Sequence, residues 1–370
     1  MEPINIIGCG IGGMATALGL QKNGFDYRIY EQAADTGYEK VGIGISRNIL
    51  PILEKWKLRE EVLSISGEVK TFRFVTKDLK VINAYQLKHP ALCIDRELLY
   101  PVILSHLDAS KIQLQTRATP FMFSPGSIVV AADGIDSAIR KEYYPDIVLR
   151  DSNQVLIRGI AAISLPPDFT NSYYDFIGGN CRFAIIDSGL GQFTWYAVLD
   201  KERVAAFVHH DLRLDLLAVF ETYAPVVKKV ILHTDKIYQS VLKDINPRTR
   251  KHIKWHHNNI LLLGDAIHPM TPNMANGACL AIEDAFVFTE LLKSTPDQIR
   301  RVFEAYQKIR EPKINNLVAR SWFMGKMMHQ KNPVLDKLVV WGSGLTPEWV
   351  FNRVYAHAIL TVNYQDLLAS

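Results

Sequence analysis

Two hydrophobic rhythms share this chain, and the switch between them marks its organisation. Residues 4–7 form a short apolar run that stops at a glycine cluster, and Ile11, Met14, Ala15 and Leu18 follow at helical spacing. Gly24 is a fitting helix stop, after which Phe25, Tyr27 and Ile29 alternate as a strand does and end in Tyr30-Glu31. The chain therefore opens as β-α-β. Helical periodicity returns over 48–63 and 97–107, and a buried strand over 127–131 runs into Ala132-Asp133-Gly134. From about residue 153 to 210 the rhythm shortens. Strands are predicted over 155–163, 182–186, 193–199 and 204–209, with glycine-rich turns at 178–179 and 189–191. One helix, 212–230, follows. A buried strand at 260–263 leads to Gly264-Asp265, a helix begins near Ala278, and beyond Glu290 the chain reads as helical. Trp322, Phe323, Met324, Met327 and Met328 in that last part are read as core or interface filler.

The implied fold class is α/β: a Rossmann-type nucleotide-binding domain with an inserted, mostly antiparallel β-sheet and a helical C-terminus. The expected division is 1–70, 95–150 and 251–320 for the nucleotide-binding domain, 71–94 and 151–250 for a substrate domain, and 321–370 for a C-terminal helical segment. With 370 residues, 48% of them hydrophobic, two domains are the default. A formal charge of +4 with no basic run gives no support for nucleic-acid binding. The four cysteines form no CxxC pair, so neither a zinc site nor a disulfide framework is indicated. No signal peptide or membrane-length apolar run is evident, and a soluble cytoplasmic enzyme without stable membrane insertion is expected.

Gly8-Cys9-Gly10-Ile11-Gly12-Gly13 is a GxGxxG between a strand and a helix. In that context Gly8 makes the tight turn, Gly10 lets the backbone approach a pyrophosphate, and Gly13 allows close helix–strand packing. Ile11 and Gly12 open the helix, whose N-terminus favours phosphate charge. Glu31, at the end of the second strand, can accept hydrogen bonds from ribose hydroxyls. The motif alone does not choose between NAD and FAD.

Two further segments make the choice. Residues 129–140, with Ala132-Asp133-Gly134-Ile135-Asp136-Ser137 at their centre, resemble the "DG" motif of the group A flavoprotein monooxygenases, the aromatic-hydroxylase and epoxidase family. Gly264-Asp265-Ala266-Ile267-His268-Pro269 resembles that family's "GD" motif. Arg96, in Cys93-Ile94-Asp95-Arg96-Glu97-Leu98, matches the place of an Arg facing the flavin, and Gly44 lies in a matching glycine-rich segment. The order and spacing fit over nearly the whole chain.

The resemblance implies FAD as cofactor and NADPH or NADH as a transient reductant. It also implies O2 and a small-molecule substrate as partners, with oxygen transferred through a flavin C4a-hydroperoxide. Asp265 would bond a ribityl hydroxyl, Pro272 would lie beside the ring near the reacting carbon, and Asn276, Gly277 and Ala278 would present backbone N–H groups to its pyrimidine end. Asp133, Gly134 and Arg140 would belong to the motif tied to FAD and the pyridine nucleotide, a surface salt bridge being the alternative for Arg140. His268 is read as structural. Where the family has Gly-Gln-Gly, this chain has Ala275-Asn276-Gly277, and a methyl at Ala275 would restrict the loop or crowd the flavin. The hairpin that precedes the DG strand in the family looks trimmed to a loop at 119–126.

The substrate side rests on position only. Besides Pro272, the catalytic candidates are Arg182, to pair with a substrate carboxylate, and Tyr196, as a base on a phenol. Trp195 must face away from Tyr196, so at most one of them lines the pocket. His210 is a further candidate, whereas His256 and His257 read as solvated loop residues. A flavin-dependent halogenase and a non-catalytic FAD-binding protein are the alternatives to a monooxygenase; no Trp-x-Trp-x-Ile-Pro run supports the former.

Overall fold

The β-α-β opening is present as β1 (Ile4–Ile7), α1 (Ile11–Lys22) and β2 (Tyr27–Tyr30) in a computed structural model that describes residues 2–35, 39–359 and 364–369. The remaining strands are β3 (Gly42–Ile45), β4 (Ser66–Val75), β5 (Val81–Asp95), β6 (Ile112–Gln113), β7 (Val129–Ala131), β8 (Arg150–Ala162), β9 (Ser172–Phe176), β10 (Arg182–Gly189), β11 (Gln192–Asp200), β12 (Tyr238–Asp244), β13 (His256–His257) and β14 (Ile260–Leu262). The helices that matter for the site are α2 (Arg96–Ser105), α3 (Gly277–Ser294), α4 (Ile299–Met328), α5 (Pro333–Leu345) and α6 (Glu348–Ile359).

Six strands form one sheet in the order β13-β14-β7-β1-β2-β6, parallel throughout except for the short β13–β14 hairpin. Its central strands β1, β7 and β14 are buried and nearly all apolar, as expected where helices cover both faces. β1 pairs with β2 on one side and β7 on the other, so the chain leaving β1 at Gly8 emerges into a crevice between diverging crossovers. Such a switch point at the carboxyl ends of parallel strands is where nucleotides bind. α1 and α3 approach closely: a Cβ on Gly19 would lie 2.5 Å from the Thr289 Oγ1.

The second sheet has eight strands in the order β12-β8-β11-β10-β9-β4-β5-β3, antiparallel except where β4 runs beside β9. Its alternation sorts the side chains. Ile157, Phe183, Trp195 and Ala197 point into a core with Leu216, Phe220 and Val230, while Arg158, Tyr173, Arg182 and Tyr196 occupy the opposite face. The β9–β10 and β10–β11 turns fall at the expected glycines, with Gly178, Gly179, Gly189 and Gly191 all at positive φ.

Several local expectations are corrected. The segment predicted as a strand at 204–209 is the short helix Lys201–Ala205 and a loop, because its side chains stay mostly outside the core. The helix at 212–230 is two, Leu212–Val219 and Pro225–Leu232, since Pro225 begins a new turn rather than continuing the old one. His256 is not solvated: it lies buried in β13 against the Phe303 ring, while His257 stays exposed and stacks on Tyr143. The long β4–β5 hairpin was not anticipated as strands.

Candidate active site

Three bends from distant parts of the chain meet at the carboxyl end of the parallel sheet. Gly8 has φ +101°, and a Cβ there would lie 2.4 Å from the Ala132 carbonyl oxygen. At Gly13 a Cβ would lie 1.9 Å from the Gly8 oxygen, and at Gly12 it would lie 3.0 Å from Leu263 Cδ2. These glycines are required by protein packed against protein. Gly10, Gly134 and Gly277 differ: a Cβ at any of them would meet nothing within 4 Å. Their open sides mark a space the protein leaves clear.

Two helix N-termini border these bends. α1 starts at Gly10 and α3 at Asn276, neither with a side-chain cap nor with an acid in its first turn. Their first N–H groups are left to a ligand, with the positive end of each helix dipole behind them. Glu31 is already engaged, accepting from the Cys9 N–H at 2.8 Å and the Ala33 N–H at 2.9 Å, one bond on each oxygen. Each oxygen keeps a further lone pair.

Asp133 accepts from Ala138 and Ile139 through Oδ2, at 2.8 and 3.3 Å, while its buried Oδ1 has no partner among the described residues. Arg140 is 1% exposed, which rules out the surface salt bridge. Its guanidinium donates to the carbonyls of Ala266 at 2.7 Å and Ile135 at 2.5 Å, clamping the DG segment to the GD segment. Asp265 is open to solvent. Its carboxyl is nevertheless raised above the usual range, chiefly because protein displaces part of its hydration, with His268 and Arg96 pulling the other way.

Beneath this rim lies a buried ionic network. Asp284 accepts from the Gly264 N–H at 3.2 Å, His268 Nε2 stands 2.5 Å from it, and Arg310 Nε donates to it at 2.6 Å. His268 thus buttresses the bend and does not face the cleft. Glu283, the residue before Asp284, pairs with Arg310 at 2.7 Å and Lys313 at 2.6 Å, and accepts from the Tyr364 hydroxyl at 2.8 Å.

The loop ahead of α3 is held from below. Ser321 donates to the Thr271 carbonyl, and Asn273 Nδ2 donates to the Ser321 carbonyl at 3.0 Å, leaving Pro272 exposed. Ala275 sits in the left-handed region, φ 48° and ψ 36°, with its methyl against Gly44, where a Cβ would come within 3.1 Å of it. Asn276 turns its side chain inward, donating to the Met274 carbonyl at 3.2 Å. Arg96 bonds the Tyr100 hydroxyl through Nε and Nη2, at 3.0 and 2.8 Å. It also shares Glu39 with Arg158 of β8: the separations are 3.8 and 2.8 Å.

These features fit a flavin dinucleotide. The fit rests on two uncapped helix ends for charge, three glycines facing open space, and carboxylate oxygens at Asp133 and Asp265 left for hydroxyl donors.

On the large sheet two expectations change. Arg182 does not await a substrate carboxylate. It is 4% exposed and already holds Asp175, with Nε 2.8 Å from Oδ1 and Nη2 2.5 Å from Oδ2. Burial works against its charge, but Asp175 outweighs burial and raises it above the ordinary value. Tyr196 is not poised as a base, because burial pushes its ionisation up and its hydroxyl bonds that of Tyr173. Trp195 does face away, donating to the Thr234 hydroxyl at 2.6 Å in the opposite core. His210 lies exposed in a loop.

Sequence reasoning missed Arg158, Glu39, Tyr173, Asp175 and His329. A signal existed for Arg158, the one charge within the run Val155–Ile163 that reads as a buried strand. For His329 there was none. It is buried at the end of α4, both ring nitrogens lack a partner among the described residues, and burial, with Arg182 and Lys326 nearby, lowers it to about 3, so it is neutral.

Comparison with known proteins agrees with this geometry. Residues 227–321 match a family model described as an FAD binding domain. The chain is 26% identical over 351 residues to the aurachin C monooxygenase/isomerase of Stigmatella aurantiaca, covering 88% of this chain and 90% of that protein. It is 25% identical to the 3-hydroxybenzoate 6-hydroxylase of Polaromonas naphthalenivorans, over 95% and 94% of the two chains. In fold it resembles Klebsiella pneumoniae HpxO, solved with FAD and uric acid, with a TM-score of 0.84, 22% identity and 97% of each chain covered. These relatives lend nothing to the halogenase or the non-catalytic alternative. With three motif-bearing bends on one cleft, the chain is similar across nearly its whole length to FAD-dependent monooxygenases, in keeping with its resemblance to group A.

Proposed function

We propose that this chain hydroxylates or epoxidises an uncharged aromatic or conjugated substrate with NAD(P)H and O2. The observation that carries the substrate class is the Arg182–Asp175 pair, because Arg182, the buried cation of that face among the described residues, is already matched and not free for an anionic substrate. Aromatic rings lie on that face as well: Phe72 stacks on Tyr173 at 4.3 Å, and the Tyr196 hydroxyl bonds that of Tyr173. The relative named for 3-hydroxybenzoate takes a ring bearing a carboxylate; the pairing of Arg182 argues for a different class here.

Bound FAD supplies the electrons and activates the oxygen. The chain's own groups bind and orient. Gly8, Gly10, Ile11, Gly12 and Gly13 would receive the diphosphate, and Glu31 a ribose hydroxyl. Asp133 and Gly134, with Arg96, would flank the dinucleotide, and Asp265 would accept from a ribityl hydroxyl. Gly44 and Pro272 would wall the ring, while Asn276, Gly277 and Ala278 would stabilise negative charge at its pyrimidine end through the α3 N-terminus. The hydroxyls of Tyr173 and Tyr196 keep their protons at neutral pH; one proton is spent on the bond between them, and the other would be donated to a substrate oxygen. In this reading 1–70, 95–150 and 251–320 hold the cofactor, 71–94 and 151–250 the substrate, and 321–370 a helical cover. Dependence on NAD(P)H and four free buried thiols favour a cytoplasmic setting.

The test compares ring compounds matched except for a carboxylate, following NAD(P)H oxidation and the gain of one oxygen by mass spectrometry. The uncharged member should turn over faster. Preference for the carboxylate would overturn the substrate class.

A further inference from the structure

The C-terminal helices α5 and α6 are apolar on two sides, and only one side is covered. Inward, Val339 and Val340 of α5 and Phe351 of α6 pack on Phe72, Phe74 and Tyr85 of the large sheet, with Phe351 stacked on Tyr85 at 4.1 Å. This seat is firm. Asn83 Nδ2 donates to the carbonyls of Ser343, Gly344 and Thr346, and Asn352 Nδ2 donates to the Gln86 carbonyl at 2.9 Å.

Outward, Val334, Leu338, Trp341 and Leu345 follow at steps of four, three and four, one stripe of a helix. They are 66%, 53%, 65% and 60% exposed, and Trp349 at the start of α6 is 64% exposed. Scattered apolar residues on a surface need no explanation, but a rigid stripe carrying two tryptophans does.

The charges decide what the stripe fits. Between Pro333 and Val354 the acids are Asp336 and Glu348, and both turn back to the protein, accepting from the backbone N–H groups of Gly179 and Gln86 at 2.9 Å. The bases are Lys337 and Arg353, both exposed. Among the described residues of this segment the outward face therefore carries apolar side chains and two bases, while both carboxylates are bonded back toward the protein. A second copy would set like charge against like in a two-fold interface, which must be self-complementary. An anionic bilayer surface matches both features: tryptophans seat at the headgroup level and bases attract acidic lipids. No helix among the described residues is long and apolar enough to cross a membrane, so contact is with the surface.

We propose that α5 and α6 form a docking face for anionic phospholipid membranes. Through Phe72 and Tyr173 the inner side of the same helices abuts the face that carries Tyr196, so docking turns the substrate side of the enzyme toward the bilayer. The docking face stands on its own observations and does not depend on the substrate class proposed above.

The experiment is co-sedimentation of the FAD-loaded full chain with vesicles of phosphatidylcholine alone or mixed with phosphatidylglycerol. Binding to the mixed vesicles is expected, weakened by salt and by omission of the acidic lipid. The W341S/W349S variant should lower the partition coefficient about tenfold or more. The K337E/R353E variant should do the same through charge, also about tenfold or more. Flavin content should be unchanged in both. Absence of wild-type binding at low salt, or binding that neither variant weakens, overturns the proposal. So does a dimer in sedimentation equilibrium that W341S/W349S dissociates, which would assign the stripe to a second copy.

Discussion

Around the cleft we assign to the cofactor, the groups proposed to bind it are mostly backbone: the bends at Gly8–Gly13, Asp133–Gly134 and Gly264–Asp265, and the N–H groups that open α1 and α3. Across the cleft, on the large sheet, they are side chains contributed by separate strands: Tyr173 and Asp175 from β9, Arg182 from β10, Tyr196 from β11. The two halves therefore answer differently to mutation. A backbone site fails when a side chain is added. A side-chain site fails when a partner is removed, and most severely where that partner balances a buried charge.

The strongest test of the second half is Asp175→Ala. It strands the Arg182 charge in a buried setting, and breaking such a pair costs roughly 3–5 kcal/mol. Denaturant unfolding should show that loss, and the double variant Asp175→Leu with Arg182→Met should recover most of it. A single variant as mild as an ordinary surface change would mean that the pair is not sealed from water.

Next in size is the ionic network under the cofactor bend. Burial disfavours the Asp284 carboxylate, but His268 and Arg310 outweigh burial and bring it down to about 2. A carboxyl depressed on folding contributes stability that is present above its unfolded pKa, about 3.9 for Asp, and is lost as pH falls through the folded value. The contribution is about 2–3 kcal/mol at neutral pH, lost between about pH 5 and pH 1. Asp284→Asn should flatten that acid limb in pH-dependent unfolding. An unchanged slope would move the titration elsewhere.

Gly10→Ala separates the two kinds of glycine. Gly10 has φ −73° and an added methyl meets no protein atom, so the apoprotein should unfold at or slightly above the wild-type midpoint, Ala restricting the unfolded chain more than Gly. FAD affinity should fall about tenfold, near 1.4 kcal/mol, because the methyl takes space meant for the dinucleotide. Gly13→Ala, with its clash at the Gly8 oxygen, should instead destabilise the apoprotein itself. If Gly10→Ala weakened folding and left flavin titration unchanged, the division between the two halves would not hold.

The same division explains what the sequence disclosed. Where backbone must approach backbone or ligand, only glycine fits, so the cleft was written in contiguous motifs around Gly10, Asp133 and Asp265 and could be read without the structure. The sheet face has no such constraint. Alternation placed Trp195 and Tyr196 on opposite faces, yet it could not tell Arg182 that its partner was Asp175, since that pairing depends on strand register. β4 and β5 escaped notice because Lys70, Arg73, Lys88, His89 and Pro90 interrupt their apolar rhythm and much of the hairpin is exposed. His329 reaches the interior from the far end of α4, and no local pattern announces it.

The smallest expected effect lies where the halves meet. Ala275 replaces the glycine the family resemblance led one to expect, and its left-handed backbone costs a residue with a Cβ about 1–2 kcal/mol. Ala275→Gly removes that strain but gives the unfolded chain more freedom, which costs about 0.4–1 kcal/mol. The balance is a gain of about 0.5 kcal/mol, seen as a small rise in the denaturant midpoint. The methyl lies 3.1 Å from where a Gly44 Cβ would stand, so Gly44→Ala should be tolerated better when Ala275 is already glycine, a coupling that a double-mutant cycle reads directly. Destabilisation by Ala275→Gly would show that the methyl packs usefully against Gly44 rather than merely being accommodated. The loop ahead of α3 would then join the sheet face as a region held by side chains.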